Sequence, residues 1–298
     1  MEMTEERMIG VVGLGNMGRG MALSLMRGGF AVLGLDKNPQ TAERANADGV
    51  NLAADLAEIV RRCETIVLSL PNSSIVKELL VGDGGIQDLA QRGLMIIDTT
   101  TADPEVTREL ASALKLAGIV LLDAPVSGGS RGALRGELTM FLGGSEADVD
   151  AARPVLSAMG GKLFHIGDTG AGNIAKIVNN LLTASHLLTA SEAFRMAEAA
   201  GVKTGQLLDA VNAGSGRSGV TLYNYPSRIL SGTFDSGFTM QLMRKDVALA
   251  VSLYEKLGVD VPVTRGVGQI WSESASALAD GEDFNRIVNF RSTAANCQ

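Results

Sequence analysis

Short apolar runs alternate with amphipathic stretches through the first half of the chain. Met8–Val12, Ala31–Asp36, Thr65–Leu70, Met95–Thr99 and Ile119–Ala124 have the length and apolar continuity of buried strands. Between them Met17–Arg27, Pro39–Ala47, Leu52–Arg62, Ser74–Leu80 and Pro104–Ala117 read as helices. Asn38-Pro39 and Asp103-Pro104 are matching start signals, a capping side chain followed by proline at the first helical position. Strands alternating with helices of this length imply right-handed βαβ units and a parallel sheet. Leu138–Leu142 and Lys162–His165 are two further strands with a helix between them.

The pattern changes after Gly167-Asp168-Thr169-Gly170. From Ala171 to about Ala200 there is no strand signal and no proline. That stretch reads as one helix of about 45 Å at about 1.5 Å per residue. It is apolar on most faces, so other helices must surround it. Helices are expected at Thr204–Val211, Val220–Leu230, Met240–Leu257 and Thr264–Leu278, with a last turn or two at Asp283–Phe290. The expected organisation is an α/β domain over 1–170 and an all-helical domain over 171–298, joined by the long helix.

At 298 residues the chain has room for two domains, and 46% hydrophobic content excludes a disordered protein. A formal charge of −7 argues against a nucleic-acid or anionic-membrane surface. Two cysteines, Cys63 and Cys297, make no disulfide framework, and two histidines argue against zinc. No run reaches the roughly 20 apolar residues of a membrane span. The first residues carry Glu2, Glu5 and Glu6, unlike a secretory leader, so the expected compartment is the cytoplasm.

Gly13-Leu14-Gly15-Asn16-Met17-Gly18 follows the first strand and opens a helix, and Asp36 ends the next strand 23 residues after Gly13. Alone, G-x-G-x-x-G is weak; within a unit of about 30 residues closed by an acid it is the dinucleotide fingerprint. Gly13 permits the turn, Gly15 lets backbone approach a pyrophosphate, and Gly18 lets the helix pack against the strand. The diphosphate meets the helix N-terminus. Asp36 can accept ribose hydroxyls and repels a 2′-phosphate, which favours NAD over NADP, although Lys37 follows it. Leu70-Pro71-Asn72-Ser73 and Thr99-Thr100-Thr101 leave later strands at the same end; helix capping and ligand binding both suit them.

Asp123-Ala124-Pro125-Val126-Ser127-Gly128-Gly129 leaves the fifth strand, and its Ser-Gly-Gly turn suits a carboxylate or is simply a flexible turn. On the long helix Gly172, Lys176 and Asn180 recur every four residues and share a face. Gly172 leaves room one turn from Lys176. A lysine on an apolar helix must snorkel, pair or face a cavity, and burial or a second cation such as Lys245 lets it act as acid and base. Neither His165 nor His186 lies on this face.

Together GLGNMG at 13–18, DAPVSGG at 123–129, GNIAKIVNN at 172–180 and RKD at 244–246 resemble the β-hydroxyacid dehydrogenases, the family of 3-hydroxyisobutyrate dehydrogenase and tartronate semialdehyde reductase. The resemblance covers the whole chain. It implies a Rossmann-type N-terminal domain, an all-helical C-terminal domain and homodimers or homotetramers. It also implies roles. The Gly13–Gly18 turn and Asp36, with Leu70, Pro71 and Thr101, hold the dinucleotide. Ser127, Gly128 and Gly129 hold the substrate carboxylate. Lys176 is the catalytic acid/base, Asn180 supports it, and Lys245 lies by cofactor and substrate. Thr99-Thr100-Thr101 stands where the family usually has a serine-containing run, and Asn212–Tyr225 matches neither named enzyme fully. Arg217, in that stretch, reads as a surface residue or as a reader of a second acidic group. The expected activity is hydride transfer between NAD and a short 3-hydroxy acid or semialdehyde. The alternatives are a non-catalytic dinucleotide module, an imine reductase or a short decarboxylating hydroxyacid dehydrogenase.

Overall fold

Capping side chains start the early helices where the sequence places them. In the computed structural model, which describes residues 8–90 and 93–290, the Asn38 side chain accepts the N–H groups of Gln40 and Thr41, and the Asp103 side chain accepts that of Glu105. Glu2, Glu5, Glu6 and Cys297 lie outside the described residues.

The N-terminal half runs β1 (Met8–Val12), α1 (Asn16–Arg27), β2 (Ala31–Leu35), α2 (Pro39–Ala47), β3 (Asn51–Leu52), α3 (Leu56–Arg62), β4 (Thr65–Leu68), α4 (Ser73–Val81), α5 (Ile86–Leu89), β5 (Met95–Asp98), α6 (Pro104–Leu116), β6 (Val120–Asp123), β7 (Val126–Ser127), α7 (Gly129–Arg135), β8 (Leu138–Gly143), α8 (Glu146–Met159) and β9 (Gly160–Gly167). The rest runs α9 (Ala171–Ala199), α10 (Thr204–Ala213), a π-helical segment at Val220–Ile229, α11 (Met240–Leu257), α12 (Pro262–Glu273) and two short 3₁₀ turns.

Strands β3-β2-β1-β4-β5-β6 are parallel neighbours in that order. Apolar clusters pack the sheet: one joins Val11, Leu14, Met21, Ile97 and Leu156, the other Val12, Ile59, Ile66, Leu80 and Leu114. Cys63 belongs to the second, where burial pushes its thiol up to about 11, an unreactive core thiol.

Three departures from the sequence reading have local causes. The helix expected from Leu52 begins at Leu56, because Asn51–Leu52 pair with Leu33–Gly34 as β3 and the Asp55 side chain caps at Glu58. The sheet is not wholly parallel. β8 runs antiparallel to β6 and β7, since the ten residues between Ser127 and Leu138 are too few for a crossover. Asp123–Gly143, Val126–Met140 and Ser127–Thr139 keep one register, with Pro125 accepting from Phe141 between them. Finally, Val220–Ile229 is wound as a π-helix, with the Leu230 N–H bonded five residues back to Tyr225. Pro226 lies inside it and supplies no N–H, which a normal α-helical turn would require.

The chain divides into two compact units, Met1–Lys176 and Ile177–Gln298, so the division falls within α9. Among its described residues the second unit is built of helices, with one bridge between Thr239 and Asp283. Its core joins Leu187, Phe194, Tyr225, Met243 and Ile287 around Trp271, whose indole N–H donates to the Ala184 carbonyl. Among the described residues no helix is long and apolar enough to cross a membrane, and no acidic, histidine or cysteine cluster could hold a metal.

Candidate active site

Parallel register brings the candidate loops to one edge of the sheet. Val12, the last residue of β1, is level with Leu35 and Leu68; Leu68 is level with Asp98, and Asp98 with Asp123. Asp36, Gly13, Leu70, Thr99–Thr101 and Ala124 therefore leave the strands along one row. The strand order reverses between β1 and β4, the switch point at which open α/β sheets bind ligands.

The three motif glycines do different work. Gly13 has φ +89°, and a Cβ there would lie 2.3 Å from the Ser69 carbonyl oxygen. A Cβ on Gly18 would lie 1.8 Å from the carbonyl oxygen of Gly13. Around Gly15, by contrast, nothing lies within 4 Å of a Cβ position. Gly13 and Gly18 thus make the turn, and Gly15 keeps a space over it. Among the described residues no side chain caps α1, and its first turn carries no acid. Its first N–H groups suit a diphosphate.

Asp36 accepts the Leu14 N–H at 2.7 Å through Oδ2 and the Asn38 N–H at 2.8 Å through Oδ1. A carboxylate has about four acceptor positions, so capacity remains for ribose hydroxyls. The Leu14 side chain is fully buried and Met17 packs against the same core, so backbone is what these two offer a ligand. Asn16 Oδ1 accepts from Arg44 Nη2 at 2.8 Å. Together these features fit a dinucleotide.

Capping explains part of the neighbouring loops. Asn72 caps α4, and the Thr99 hydroxyl donates to the Leu68 carbonyl at 2.6 Å. Leu70 N–H donates to Thr100 Oγ1 at 3.2 Å, and Asp103 N–H to Ser73 Oγ at 2.8 Å, which ties the two loops together. Pro71 is exposed and Thr101 half-buried.

The Ser127-Gly128-Gly129 turn opens a helix rather than a loose loop. Gly128 and Gly129 have φ of +128° and +63°, which side-chain-bearing residues rarely adopt. α7 lies along α1: a Cβ on Gly20 would come within 2.8 Å of the Ala133 Cβ, and one on Gly136 within 2.6 Å of Ser24 Oγ. These contacts advance together along both helices. Both helices therefore run in the same sense, and Gly15 and Gly128 start from the same end.

Lys176 is 7% exposed, and Asn180 is buried one turn further along α9. Asn180 Nδ2 donates to Asp246 Oδ2 at 2.5 Å, and Lys245 Nζ lies 2.9 Å from Asp246 Oδ1. Asp246 thus joins Asn180 to Lys245. The sequence reading did not select it; the signal was an acid at a core position of an amphipathic helix. Arg244 has a structural role, holding Ser274, the Leu278 carbonyl and Asp280. Arg217 is exposed.

Gly172 does not leave room for a ligand. A Cβ there would lie 2.4 Å from the Phe141 carbonyl oxygen and 2.8 Å from that of Asp123. It allows α9 to start against the sheet. The Asp123 carboxylate, fully buried, caps that start by accepting Gly170 N–H at 2.7 Å and Asn173 N–H at 2.8 Å. Burial pushes its pKa up, while these N–H groups pull against the rise.

Residues 8–167 match the model of the NAD binding domain of 6-phosphogluconate dehydrogenase. Residues 170–291 match the NAD-binding model of NADP-dependent 3-hydroxyisobutyrate dehydrogenase. The chain is 34% identical over 280 residues to 2-(hydroxymethyl)glutarate dehydrogenase of Eubacterium barkeri, covering 94% of this chain and 93% of that one. It is 33% identical to a probable mitochondrial 3-hydroxyisobutyrate dehydrogenase of Dictyostelium discoideum, covering 97% and 92%. Among solved structures, Mycobacterium tuberculosis 3-hydroxyisobutyrate dehydrogenase with L-serine superposes with a TM-score of 0.87 at 31% identity, covering 95% and 98%.

Proposed function

From the premise that the chain belongs to the β-hydroxyacid dehydrogenase family, that of 3-hydroxyisobutyrate dehydrogenase, we propose that it interconverts a short 3-hydroxy acid and its semialdehyde with NAD. The carrying observation is Lys176, a buried lysine one turn from Asn180 on the helix that Asp123 caps. In this reading the Gly13–Gly18 turn and the α1 N-terminus would hold the diphosphate and Asp36 the ribose, with Leu70, Pro71 and Thr101 joining them in holding the dinucleotide. A bound nicotinamide would supply the hydride acceptor for the carbinol carbon.

The remaining work belongs to the chain. The Ser127 hydroxyl and the N–H groups of Gly128 and Gly129 grip the carboxylate. Neutral Lys176 takes the hydroxyl proton as the carbonyl forms, and protonated Lys176 returns it in reduction. Asn180, fixed by Asp246, orients the amine or the substrate oxygen. Lys245 adds a second cation that favours an anionic substrate. Two relatives' names describe a hydroxymethyl group one carbon from a carboxylate, and L-serine shares that unit. The proposed substrate is therefore a primary 3-hydroxy acid.

The test is NAD and NADP reduction with 3-hydroxyisobutyrate, 2-(hydroxymethyl)glutarate, glycerate, serine and threonate. Turnover of one or more primary 3-hydroxy acids is expected. Failure with all of them, alongside normal NADH binding, would favour a non-catalytic dinucleotide module. NAD preference rests on Asp36: Asp36→Ser is expected to shift the NAD:NADP ratio of kcat/KM towards NADP. An unchanged ratio would remove Asp36 from the ribose.

The same reading makes the protein a homodimer or homotetramer. Val178 and Leu182, 47% and 52% exposed, are neighbours on one face of α9, a small apolar patch suited to a second copy; Met196, 72% exposed, lies on the same face beyond Ser185, Thr189 and Glu192. Sedimentation at micromolar concentration is expected to give at least a dimer; a monomer would count against it.

A further inference from the structure

We propose that Asn173 is a positioning residue for the proton transfer at Lys176. The proposal rests on the role given to Lys176 above. Asn173 is fully buried in the first turn of α9. Its backbone N–H donates to Asp123 Oδ2 at 2.8 Å. Its side chain makes two more bonds: Oδ1 accepts the Ala102 N–H at 3.0 Å, and Nδ2 donates to Thr107 Oγ1 at 3.1 Å. Thr107 in turn donates to the Asp103 carbonyl at 3.1 Å, and Asp103 N–H reaches Ser73 Oγ. A chain of bonds thus runs from the loop after β4, through the loop after β5, to the start of the lysine helix. Asn173 is the member that joins α9 to it.

Asparagine is a poor choice for a merely structural position here. It is a weak helix former, and a buried amide is costly unless each end is bonded. Both ends are bonded, and both bonds go to the segment that follows Thr101. Lys176 is three residues on, nearly one turn, on an adjoining part of the same face. A shift of α9 along the sheet would carry the amine with it. Misplacement by about 1 Å can cost roughly a hundredfold in rate.

The experiment compares Asn173→Ala with the parent in three readouts: kcat, the NADH dissociation constant, and the rate at which acetic anhydride acetylates Lys176, mapped by mass spectrometry. A positioning role predicts a fall in kcat of about tenfold to hundredfold. It also predicts NADH affinity close to the parent's and several-fold faster acetylation of Lys176. Unchanged acetylation overturns the proposal, as does a kcat close to the parent's in folded protein. If Asn173→Ala does not fold, Thr107→Val keeps Asn173 and its bond to Ala102 while removing the partner of Nδ2 along with the hydroxyl's own bond to the Asp103 carbonyl, and smaller changes in the same directions are expected; none in either readout would overturn the proposal. Acetylation is read without substrate. A parent inactive on every hydroxy acid would therefore defeat the functional reading while this test still reports on Asn173.

Discussion

Lys176→Ala is expected to lower kcat by about 10²–10⁴-fold, the usual worth of general acid–base catalysis. The lysine is buried at 7% exposure. Its amine is carried on the helix that Asp123 and Asn173 fasten to the loops at the strand ends. Neither histidine offers a substitute: His165 Nε2 lies 2.8 Å from the Gly144 carbonyl oxygen on an edge strand, and His186 is ten residues from Lys176 on α9, away from its face. NADH binding should survive, because the Gly13–Gly18 turn and Asp36 belong to other elements. In the parent, hydroxy-acid oxidation should quicken as pH rises and the amine loses its proton, and that limb should be absent from the variant. Steady-state rates across pH, with NADH titration of both proteins, check this. A folded variant with near-parent kcat would move the acid/base role to Lys245.

How far the site could be read from sequence depends on the range of each interaction. Asn38-Pro39 and Asp103-Pro104 act within a few residues, and both start their helices where expected. The Gly13–Asp36 unit was equally legible, because one βαβ segment contains its turn, helix and acid. Asp123 was not. It reads as part of the Ser-Gly-Gly approach, yet its carboxylate caps a helix about fifty residues later. Gly172 reads as open space for the same reason: what fills the space beside it comes from β6 and β8, which the pattern along α9 cannot reveal. Asp246 stands within the RKD motif, but its link to Asn180, 66 residues away, has no signature along the chain. β3 escaped because two residues carry no periodicity, and the π-helix because Pro226 alters the winding of an otherwise helical pattern.

Gly15→Asp is expected to separate the fold from cofactor binding. Gly15 has φ −57° and ψ −172°, a cap conformation open to other residues, and nothing lies within 4 Å of a Cβ there. Aspartate is among the best N-caps, so the variant should fold and gain a few tenths of a kcal/mol at α1. Its carboxylate would bond the N–H groups proposed to hold the diphosphate, occupy the space above the turn, and bring negative charge against a dianion. Like charges about 4 Å apart at a protein surface repel by about 4 kcal/mol. NADH affinity should therefore fall by roughly a hundredfold or more. Gly18→Ala is the contrasting case. Its Cβ would sit 1.8 Å from the Gly13 carbonyl oxygen, so the turn itself must move and stability should fall with affinity. Thermal unfolding and NADH titration of the two variants read both properties. A Gly15→Asp protein that binds NADH like its parent would mean that the dinucleotide does not cross this turn, and the assignments at Asp36 and Thr101 would fall with it.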